Sequence, residues 1–416
     1  MSKKMLIIIG VVIVAALGLF MMQSANKPAE VAHEEAQAPE KAAFHIGIVT
    51  GTVSQSEDDL RGAELAIEKY GDVATGGMIQ HLTYPDNFMS EMETTIAQIA
   101  GLADDPDMKV VIVNQAIPGT AEGFRRIKEK REDILCFAGE AHEDPNVIDS
   151  VADLTINADF VSRGYLIIHT AKELGCDTFV HISFPRHMSY ETLGRRRLIM
   201  EQACKDMGMK FVFETAPDPT SDVGVAGAQQ FILEKTPAWV NKYGKNTAFF
   251  CTNDAHTEPL LKQLAKYGGY FIEADLPSPL MGYPGAFGID LAAEAGNWPV
   301  ILKKVEQAVE DAGAKGRMGT WAYSYGYTNS AALAEFGKRI VEGTAKLDSK
   351  EDLMACYAEY TPGAAWNGNY YTDLGTGETK KNHLLVYQDT YMLGKGYMNA
   401  TSVEVPEKYE KIKMAQ

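Results

Sequence analysis

The stretch KVVIVNQAIPGTAEGFRRIKEKREDILCFAGE, residues 109–140, decides the fold. The apolar run Val110–Val113 predicts a buried strand, and a second short apolar run, Ile134–Gly139, predicts another. The charged segment between them starts after Gly119 and has the length and composition of a helix. Two buried strands separated by a helix indicate a parallel sheet that is covered by helices on both faces.

The same alternation extends in both directions from this stretch. Before it, strands are predicted at His45–Thr50 and in MIQHLTYP (residues 78–85), each followed by a helical pattern. After it, a second series contains the strand candidates TFVHISFP, KFVFETAP, TAFFCTND and GYFIEAD. Two such series without sequence repetition predict an α/β fold of two doubly wound parallel-sheet lobes joined by interlobe crossovers.

The order of the segments predicts which part of the chain belongs to which lobe. We assign residues 44–157 to lobe 1 and expect residues of about 285–330 to complete it. We assign residues 158–284 to lobe 2 and expect residues of about 331–416 to complete it. Near the end, residues 364–388 predict a hairpin with its turn at Gly375–Gly377 and HLLVYQ as the return strand.

The N-terminus predicts an exported protein. Residues 1–23 contain two lysines and then an apolar run from Met5 to Met22, which is near the length of a membrane-spanning helix. The basic flank predicts a cytoplasmic N-terminus and translocation of the rest. We therefore expect an extracytoplasmic protein anchored to the cell membrane by a transmembrane helix. The alternative, a signal helix cleaved near residues 36–38, would give a secreted protein. Residues 24–43 predict a flexible acidic linker.

Composition and motifs exclude several classes of function. The net charge of −17 argues against a nucleic acid partner, because nothing offsets phosphate repulsion. The five cysteines contain no CxxC pair, so neither a cysteine zinc site nor a disulfide framework is expected. The sequence contains no HExxH, GxSxG, Walker or Rossmann pattern. We expect a protein without enzymatic activity, with no catalytic residue, no metal and no cofactor. The cluster Arg195–Arg197 is interpreted as an exposed basic patch.

Several segments together resemble the type I periplasmic-binding-protein superfamily, the solute-binding receptors of ABC importers and their related sensor domains. IGIVTGTVSQ (46–55) is similar to the opening strand and polar loop of that family. INADFVSRGYLIIHTAKELG (156–175) looks like its first interlobe crossover, and AFFCTNDAH (248–256) resembles a strand of the second lobe. More narrowly, residues 181–208 look like a bacterial family known as a domain of unknown function within this superfamily.

The resemblance implies a function. A protein of this kind would close around a small polar solute and present it to an ABC-type membrane permease. The alternative is a membrane-tethered ligand sensor or interaction module that signals to a membrane partner without transport.

In open parallel sheets, ligands bind at the carboxyl ends of the strands. Applied to lobe 1, this rule predicts ligand contacts at Thr50, Gly51, Ser54, Gln55, Asn114, Gln115, Gly139 and Glu140. In lobe 2 it predicts them at Ser183, Phe184, Arg186, Tyr190, Thr252, Asn253 and Asp254. Amides and hydroxyls can both donate and accept, and a carboxylate can accept two hydroxyl protons from a polyol or sugar.

Four of these interpretations have structural alternatives. Asn253 and Asp254 are equally suited to cap a helix. Asn114 could simply close a turn, and Arg186 could form a structural ion pair instead of binding an anionic ligand. Residues 321–327, WAYSYGY, alternate as on one face of a strand, which suits core packing or ligand stacking.

Overall fold

The computed structural model describes residues 41–219 and 221–414. The predicted membrane helix at 1–23 and the linker, except for its last three residues, lie outside the described residues. Within residues 41–219 and 221–414, no helix combines the length and the apolar character needed to cross a membrane.

Lobe 1 begins with five strands that alternate with helices. In chain order they are β1 (His45–Thr50), α1 (Val53–Tyr70), β2 (Ile79–Thr83), α2 (Met92–Gly101), β3 (Met108–Asn114), α3 (Thr120–Lys130), β4 (Leu135–Gly139), α4 (Pro145–Ile148) and β5 (Leu154–Ala158). Every residue of β1 is buried, as expected for a strand covered by helices on both faces. Helix α1 contains a kink near its beginning, because the backbone leaves helical geometry at Ser56.

Lobe 2 follows with the same alternation. Its elements are α5 (Phe160–Glu173), β6 (Thr178–Ser183), α6 (Pro185–Ser189), α7 (Glu191–Asp206), β7 (Lys210–Thr215), α8 (Gly224–Tyr243), β8 (Thr247–Cys251), α9 (Asp254–Tyr267), β9 (Tyr270–Phe271), α10 (Tyr283–Phe287), α11 (Trp298–Asp311) and β10 (Gly319–Thr320). Helix α5 begins at the first crossover, where the Asp159 carboxylate accepts a hydrogen bond from the Ser162 backbone N–H at 2.7 Å. Capping by an aspartate is a common way to start a helix.

The chain then returns to lobe 1 and ends on lobe 2. The returning elements are α12 (Tyr325–Val341), α13 (Lys350–Tyr360), β11 (Trp366–Thr372) and β12 (Thr379–Gln388), followed by β13 (Tyr391–Met392), β14 (Gly396–Tyr397) and α14 (Glu407–Glu410). Short 3₁₀ turns lie at Val73–Thr75, Leu102–Asp104, Ala292–Glu294 and Ala400–Ser402.

The sheets confirm the α/β architecture of mostly parallel strands. Lobe 1 contains seven strands in the order β11-β12-β5-β4-β3-β1-β2, and only the β11–β12 pair is antiparallel. Lobe 2 contains the parallel strands β7-β6-β8-β9, and the small sheet β10-β13-β14 adjoins it through a bridge between Phe271 and Met318. Three short connections link the lobes, at Asp159, at residues 321–324 and at residues 389–390.

The completion of the lobes differs from the expectation. Strands β11 and β12 form the predicted hairpin, but β12 pairs with β5 and therefore extends the lobe 1 sheet. Helices α10 and α11 pack instead in the lobe 2 core, where Trp298 contacts the cluster around Leu260. Residues 285–320 thus lie in lobe 2 and residues 331–388 in lobe 1, the reverse of the expectation, whereas residues 391–397 pair with β10 on the lobe 2 side as expected. The expectation failed because a linear pattern does not identify which sheet edge a strand pairs with.

Two sequence interpretations are wrong. Residues 321–327 do not form a strand, since Tyr325 begins helix α12; their four aromatic side chains are buried. The arginine cluster is not an exposed patch. Arg195 donates to the backbone carbonyls of Glu410 and Ile412, and Arg196 is 0% exposed between the rings of Phe160 and Phe250. All five cysteines are unbridged and buried.

Candidate functional site

The candidate site is a cavity of about 710 Å³ between the two lobes. On the lobe 1 side it is lined by residues that follow β3, β4 and β5 and by the first turn of α12, among them Gln115, Glu140, Ala158 and Tyr325. On the lobe 2 side it is lined by the segment Ser189–Thr192 and by Leu276. Its position at the carboxyl ends of parallel strands is the one where ligands bind in folds of this class.

Glu140 lies in the lobe 1 wall. Two further acidic residues, Asp58 and Asp59, lie close to it behind the wall. Asp59 is buried and accepts hydrogen bonds from the Ser56 hydroxyl and, at 3.3 Å, from the Asn114 amide. Asn114 also donates to the Gly326 carbonyl at 2.9 Å. A methyl group on Gly326 would lie 1.8 Å from Asp59 Oδ1 and 3.5 Å from Glu140 Oε1, so both carboxylates lie against the same point of α12.

Burial makes these carboxyl groups hard to ionise. Desolvation raises the pKa of Asp59 to about 7, and the charge of Asp58 adds to the effect. Burial likewise raises the pKa of Asp58 to about 6. Burial, with the charges of Asp59 and Asp58, also places the pKa of Glu140 well above its usual value. Three neighbouring carboxyl groups in a recess therefore compete for ionisation.

Glu140 has an unusual backbone. Its φ of 49° lies in the left-handed region, which few residues other than glycine adopt. The conformation turns the chain directly after β4, and the Glu140 backbone N–H still donates to the Ile156 carbonyl at 2.8 Å. Strained backbone positions are concentrated at functional sites. The side chain of Glu140 forms no hydrogen bond to any residue within 41–219 and 221–414.

On the lobe 2 side, the ends of β6 and β8 are tied together. The hydroxyls of Ser183 and Thr252 are 2.6 Å apart, and both residues are buried. Asn253 caps α9 by accepting a hydrogen bond from the Ala255 N–H at 3.0 Å, which is the helix-capping role that the sequence offered as an alternative to ligand contact. Asp254 is exposed, yet desolvation and the nearby Asp275 raise its pKa to about 7.

Arg186 forms an ion pair with Asp218. Its Nε and Nη2 atoms contact the two Asp218 carboxylate oxygens at 2.7 and 2.9 Å, and Nη1 donates to the Tyr190 hydroxyl at 3.1 Å. The guanidinium also lies over the Phe184 ring, 5.3 Å from its centroid. Because this fork already holds a carboxylate, the arrangement favours the structural alternative for Arg186 over an anion-binding role.

Of the residues predicted from sequence, Gln115, Glu140 and Tyr190 line the cavity. Asn114 and Gly139 lie directly behind its wall, where a methyl group on Gly139 would come 2.3 Å from the Asn114 side-chain oxygen. The remaining lobe 1 residues lie beside it: Thr50 is buried against His81, Gly51 lies near Tyr84, Ser54 contacts Thr52, and Gln55 donates to the Asp86 carbonyl. In lobe 2, Ser183, Phe184 and Thr252 are buried in the fold.

Sequence reasoning did not identify Asp58 and Asp59 as neighbours of the site. Tyr325 was considered for ligand stacking, but as part of a strand face and not of a helix. The adjacent acidic pair next to the polar loop after β1 was the available signal, but an acidic first turn is common in helices.

A separate acidic group lies at the opposite end of the lobe 1 sheet. The side chains of His45, Asp105 and Asp107 approach within 4.8 Å of one another at the amino-terminal ends of β1 and β3. His45 Nδ1 is 2.6 Å from Asp105 Oδ2, so this contact is explained as a histidine–carboxylate pair.

The raised pKa of Asp59 predicts a pH effect on stability. A carboxyl group whose pKa is higher in the folded state stabilises the fold at low pH, and this contribution is lost as the pH rises through the folded-state pKa. We expect the stability difference between wild type and Asp59→Asn to shift in favour of the variant from pH 5 to pH 8. Urea unfolding at each pH measures it. The comparison with the variant cancels opposing contributions from buried histidines such as His256, whose pKa burial lowers to about 4. A constant difference over this range would contradict the prediction.

Comparison with known proteins places the fold. Two lobes of parallel sheet with three connections between them define a protein of the type I periplasmic-binding-protein fold, which confirms the resemblance seen in the sequence. The chain belongs to the DUF3798 family, described as proteins of unknown function, whose profile matches residues 44–319. A second family profile matches residues 330–412.

The chain is similar in sequence to a bacterial relative and in fold to solved structures. An uncharacterized protein of Treponema pallidum (strain Nichols) is 40% identical over 217 residues, which are 52% of this chain and 98% of that protein. A crystallised protein from Clostridium difficile 630, proposed to be a transcriptional regulator, has a TM-score of 0.76 and 21% identity, over 84% of this chain and 99% of its own. A sugar ABC transporter protein from Actinomyces odontolyticus has a TM-score of 0.54 and 9% identity, over 87% and 98%. At these identities the two structures show a common fold and not a common ligand.

Proposed function

We propose that the protein is an extracytoplasmic solute-binding protein that closes around a small polar ligand and presents it to an ABC-type membrane permease. The observation that carries the proposal is the interlobe cavity of about 710 Å³, whose walls come from both lobes and contain side chains at the carboxyl ends of strands. A ligand held there would contact both lobes at once, and its binding would favour the closed arrangement. The shared fold with a sugar ABC transporter protein supports this function.

The connections between the lobes suit such a motion. Each crossover is short, and the first passes directly from β5 to α5 through Asp159. Hinges of this kind need only a few residues at element ends to absorb the backbone rotation. The proposed location outside the cytoplasm, on a membrane anchor, rests on the N-terminal sequence.

A second function uses the same cleft without transport. A membrane-tethered sensor would bind the solute and report its presence to a membrane partner. The observation that favours this alternative is the common fold with a protein proposed to be a transcriptional regulator. Adjacent permease and ATPase genes would support delivery, whereas an adjacent kinase gene would support sensing.

The proposal predicts compaction on ligand binding. A thermal-shift screen of the protein without residues 1–40, against sugars, polyols, amino acids, amines and short-chain acids, should identify a ligand that raises the melting temperature by several degrees at concentrations well above its dissociation constant. Small-angle scattering with that ligand should then show a smaller radius of gyration, because the lobes close.

The control is a variant with a blocked cavity. Ala158→Trp places a bulky side chain in the cavity lining and should abolish both the thermal shift and the compaction. An unchanged scattering profile with saturating ligand would contradict closure, and a shift that persists in the blocked variant would place the ligand elsewhere.

A further inference from the structure

The lobe 1 side of the cavity presents Glu140, with Asp58 and Asp59 behind it, and no lysine or arginine within residues 41–219 and 221–414 forms an ion pair with these three carboxyl groups. We propose that the solute carries an ammonium or guanidinium group that docks against Glu140 and Tyr325, so the protein selects cationic ligands. This inference rests on the proposed function, since it names the chemical class of the solute for the same cavity.

The first observation is the missing counter-charge. The titratable groups around Asp58, Asp59 and Glu140 are Glu57, Tyr84, Tyr325 and Tyr357, in addition to the three acids themselves. None of these groups is a lysine, arginine or histidine. His142 lines the same cavity, but burial lowers its pKa and so favours its neutral form. Buried carboxylates are normally paired with a cation or neutralised by a proton, and here the fold supplies only hydroxyl and amide donors.

The second observation is a polar group without a normal partner. The Tyr325 side chain is 4% exposed and lies in the cavity lining. Its hydroxyl forms no hydrogen bond of normal geometry within the part of the chain that the structure describes, although Asn329 is close. A buried hydroxyl without a partner is costly, and a ligand donor beside it would remove that cost. An ammonium group can donate to this hydroxyl and to the Glu140 carboxylate at the same time.

The other charges in the cavity do not replace the missing cation. Glu143 is committed to the N-terminus of α3, where it accepts from the N–H groups of Gly119 and Ala121 at 3.1 and 2.7 Å. Arg195 lines the cavity, but it donates to the backbone carbonyls of Glu410 and Ile412. The lining therefore retains an excess of negative charge on the wall that contains Glu140.

Cation binding should be linked to proton release. Burial and mutual repulsion favour the protonated form of these carboxyl groups, and a bound cation would favour the ionised form. The affinity for a permanently charged amine should thus rise between pH 5 and pH 8, whereas the affinity for a neutral solute would not depend on these groups.

The test compares probes that differ only in charge. Putrescine is paired with 1,4-butanediol and glucosamine with glucose, and agmatine is added as a guanidinium probe. Thermal shift followed by calorimetry should show binding of at least one amine, with its neutral partner at least about tenfold weaker. Calorimetry of that amine in phosphate and in Tris at pH 7 should show a net release of protons.

Two variants and one control assign the contact. Glu140→Gln should weaken the amine at least about tenfold, and Tyr325→Phe, which removes only the hydroxyl, should weaken it several-fold. Glu129→Gln removes an exposed acid on α3 and should leave the affinity unchanged. Circular dichroism verifies that each variant is folded. If Glu140→Gln does not fold, Tyr325→Phe still tests the proposal.

The outcomes separate this inference from the proposed function. A neutral probe that binds wild type and Glu140→Gln equally, with compaction, would overturn cation selectivity and leave solute binding intact. Amine binding that is insensitive to both variants would also overturn the inference. Absence of binding by every probe, with no compaction in the wider screen, would overturn the proposed function and the inference together.

Discussion

Replacing Glu273 with alanine should lower the free energy of unfolding by about 3–5 kcal/mol. The Glu273 side chain is 2% exposed, and one of its oxygens accepts from Arg163 Nε at 2.6 Å. The other oxygen accepts from Trp321 Nε1 and from the Thr390 hydroxyl, each at 3.1 Å. Arg163 is on the helix that follows the first crossover, Trp321 is on the second and Thr390 is on the third. One carboxylate therefore ties together all three connections between the lobes.

The size of the effect follows from burial. Removing the carboxylate leaves the Arg163 guanidinium, itself 2% exposed, with only the backbone carbonyls of Ala274 and Asp275 as acceptors. An uncompensated buried charge costs much more than the loss of an exposed ion pair. Urea unfolding followed by tryptophan fluorescence measures the change.

The matched control is Glu129→Ala, which breaks an exposed ion pair with Arg125. This substitution should lower the free energy of unfolding by less than about 0.5 kcal/mol. A loss below about 1 kcal/mol for Glu273→Ala would show that the three crossovers do not depend on this carboxylate.

The second large effect is expected at Gly62, where α1 crosses α12. A methyl group at this position would lie 2.3 Å from the backbone oxygen of Tyr327 and 2.9 Å from the Ser330 Cβ. Alanine is the better helix former, but a backbone atom cannot move aside as a flexible side chain can. Gly62→Ala should therefore lower the free energy of unfolding by about 1–3 kcal/mol, as measured by urea unfolding.

The control is the same substitution in another helix. Gly101 has a helical backbone with φ −64°, and an added methyl group would meet no atom of the described residues within 4 Å. Gly101→Ala should stabilise the protein by about 0.4–1 kcal/mol, because it reduces the freedom of the unfolded chain. Stabilisation by both substitutions would contradict the close crossing of α1 and α12.

The same crossing determines the site. The first turn of α12 lies against α1 and the end of β4 at this crossing. Tyr325 and Gly326 of α12 meet the carboxylates of Asp59 and Glu140 there. Displacement of α12 in Gly62→Ala should thus also weaken ligand binding, which connects packing of lobe 1 to the cavity wall.

Much of the fold could be predicted from local pattern. Strand β1 has the bounds expected from its apolar run, the β11–β12 hairpin forms around the expected glycines, and Asn253 caps α9. Each of these depends on residues within a few positions of one another, and the rules for turns, caps and periodicity act at that range.

The errors have a common cause in distant partners. Arg195 and Arg196 seemed suited to the surface by their charge, but Arg195 finds carbonyl acceptors in the C-terminal segment and Arg196 finds Asp275 and two aromatic rings. The lobe assignment of β12 likewise depends on its pairing with β5. A single sequence does not reveal which distant segment supplies such a partner.

The sequence by itself determined the alternation of strand and helix, the two-lobe class and the edge of the sheets at which ligands bind, because periodicity and the strand-end rule are local. It also placed Gln115, Glu140 and Tyr190 at that edge. Only the tertiary structure decided that Tyr325 joins Glu140 in one wall, with Asp59 behind them, and that Arg186 is occupied by Asp218. The physical reason is that charge balance and desolvation depend on which side chains meet in space, and α1, β4 and α12 meet only when lobe 1 folds.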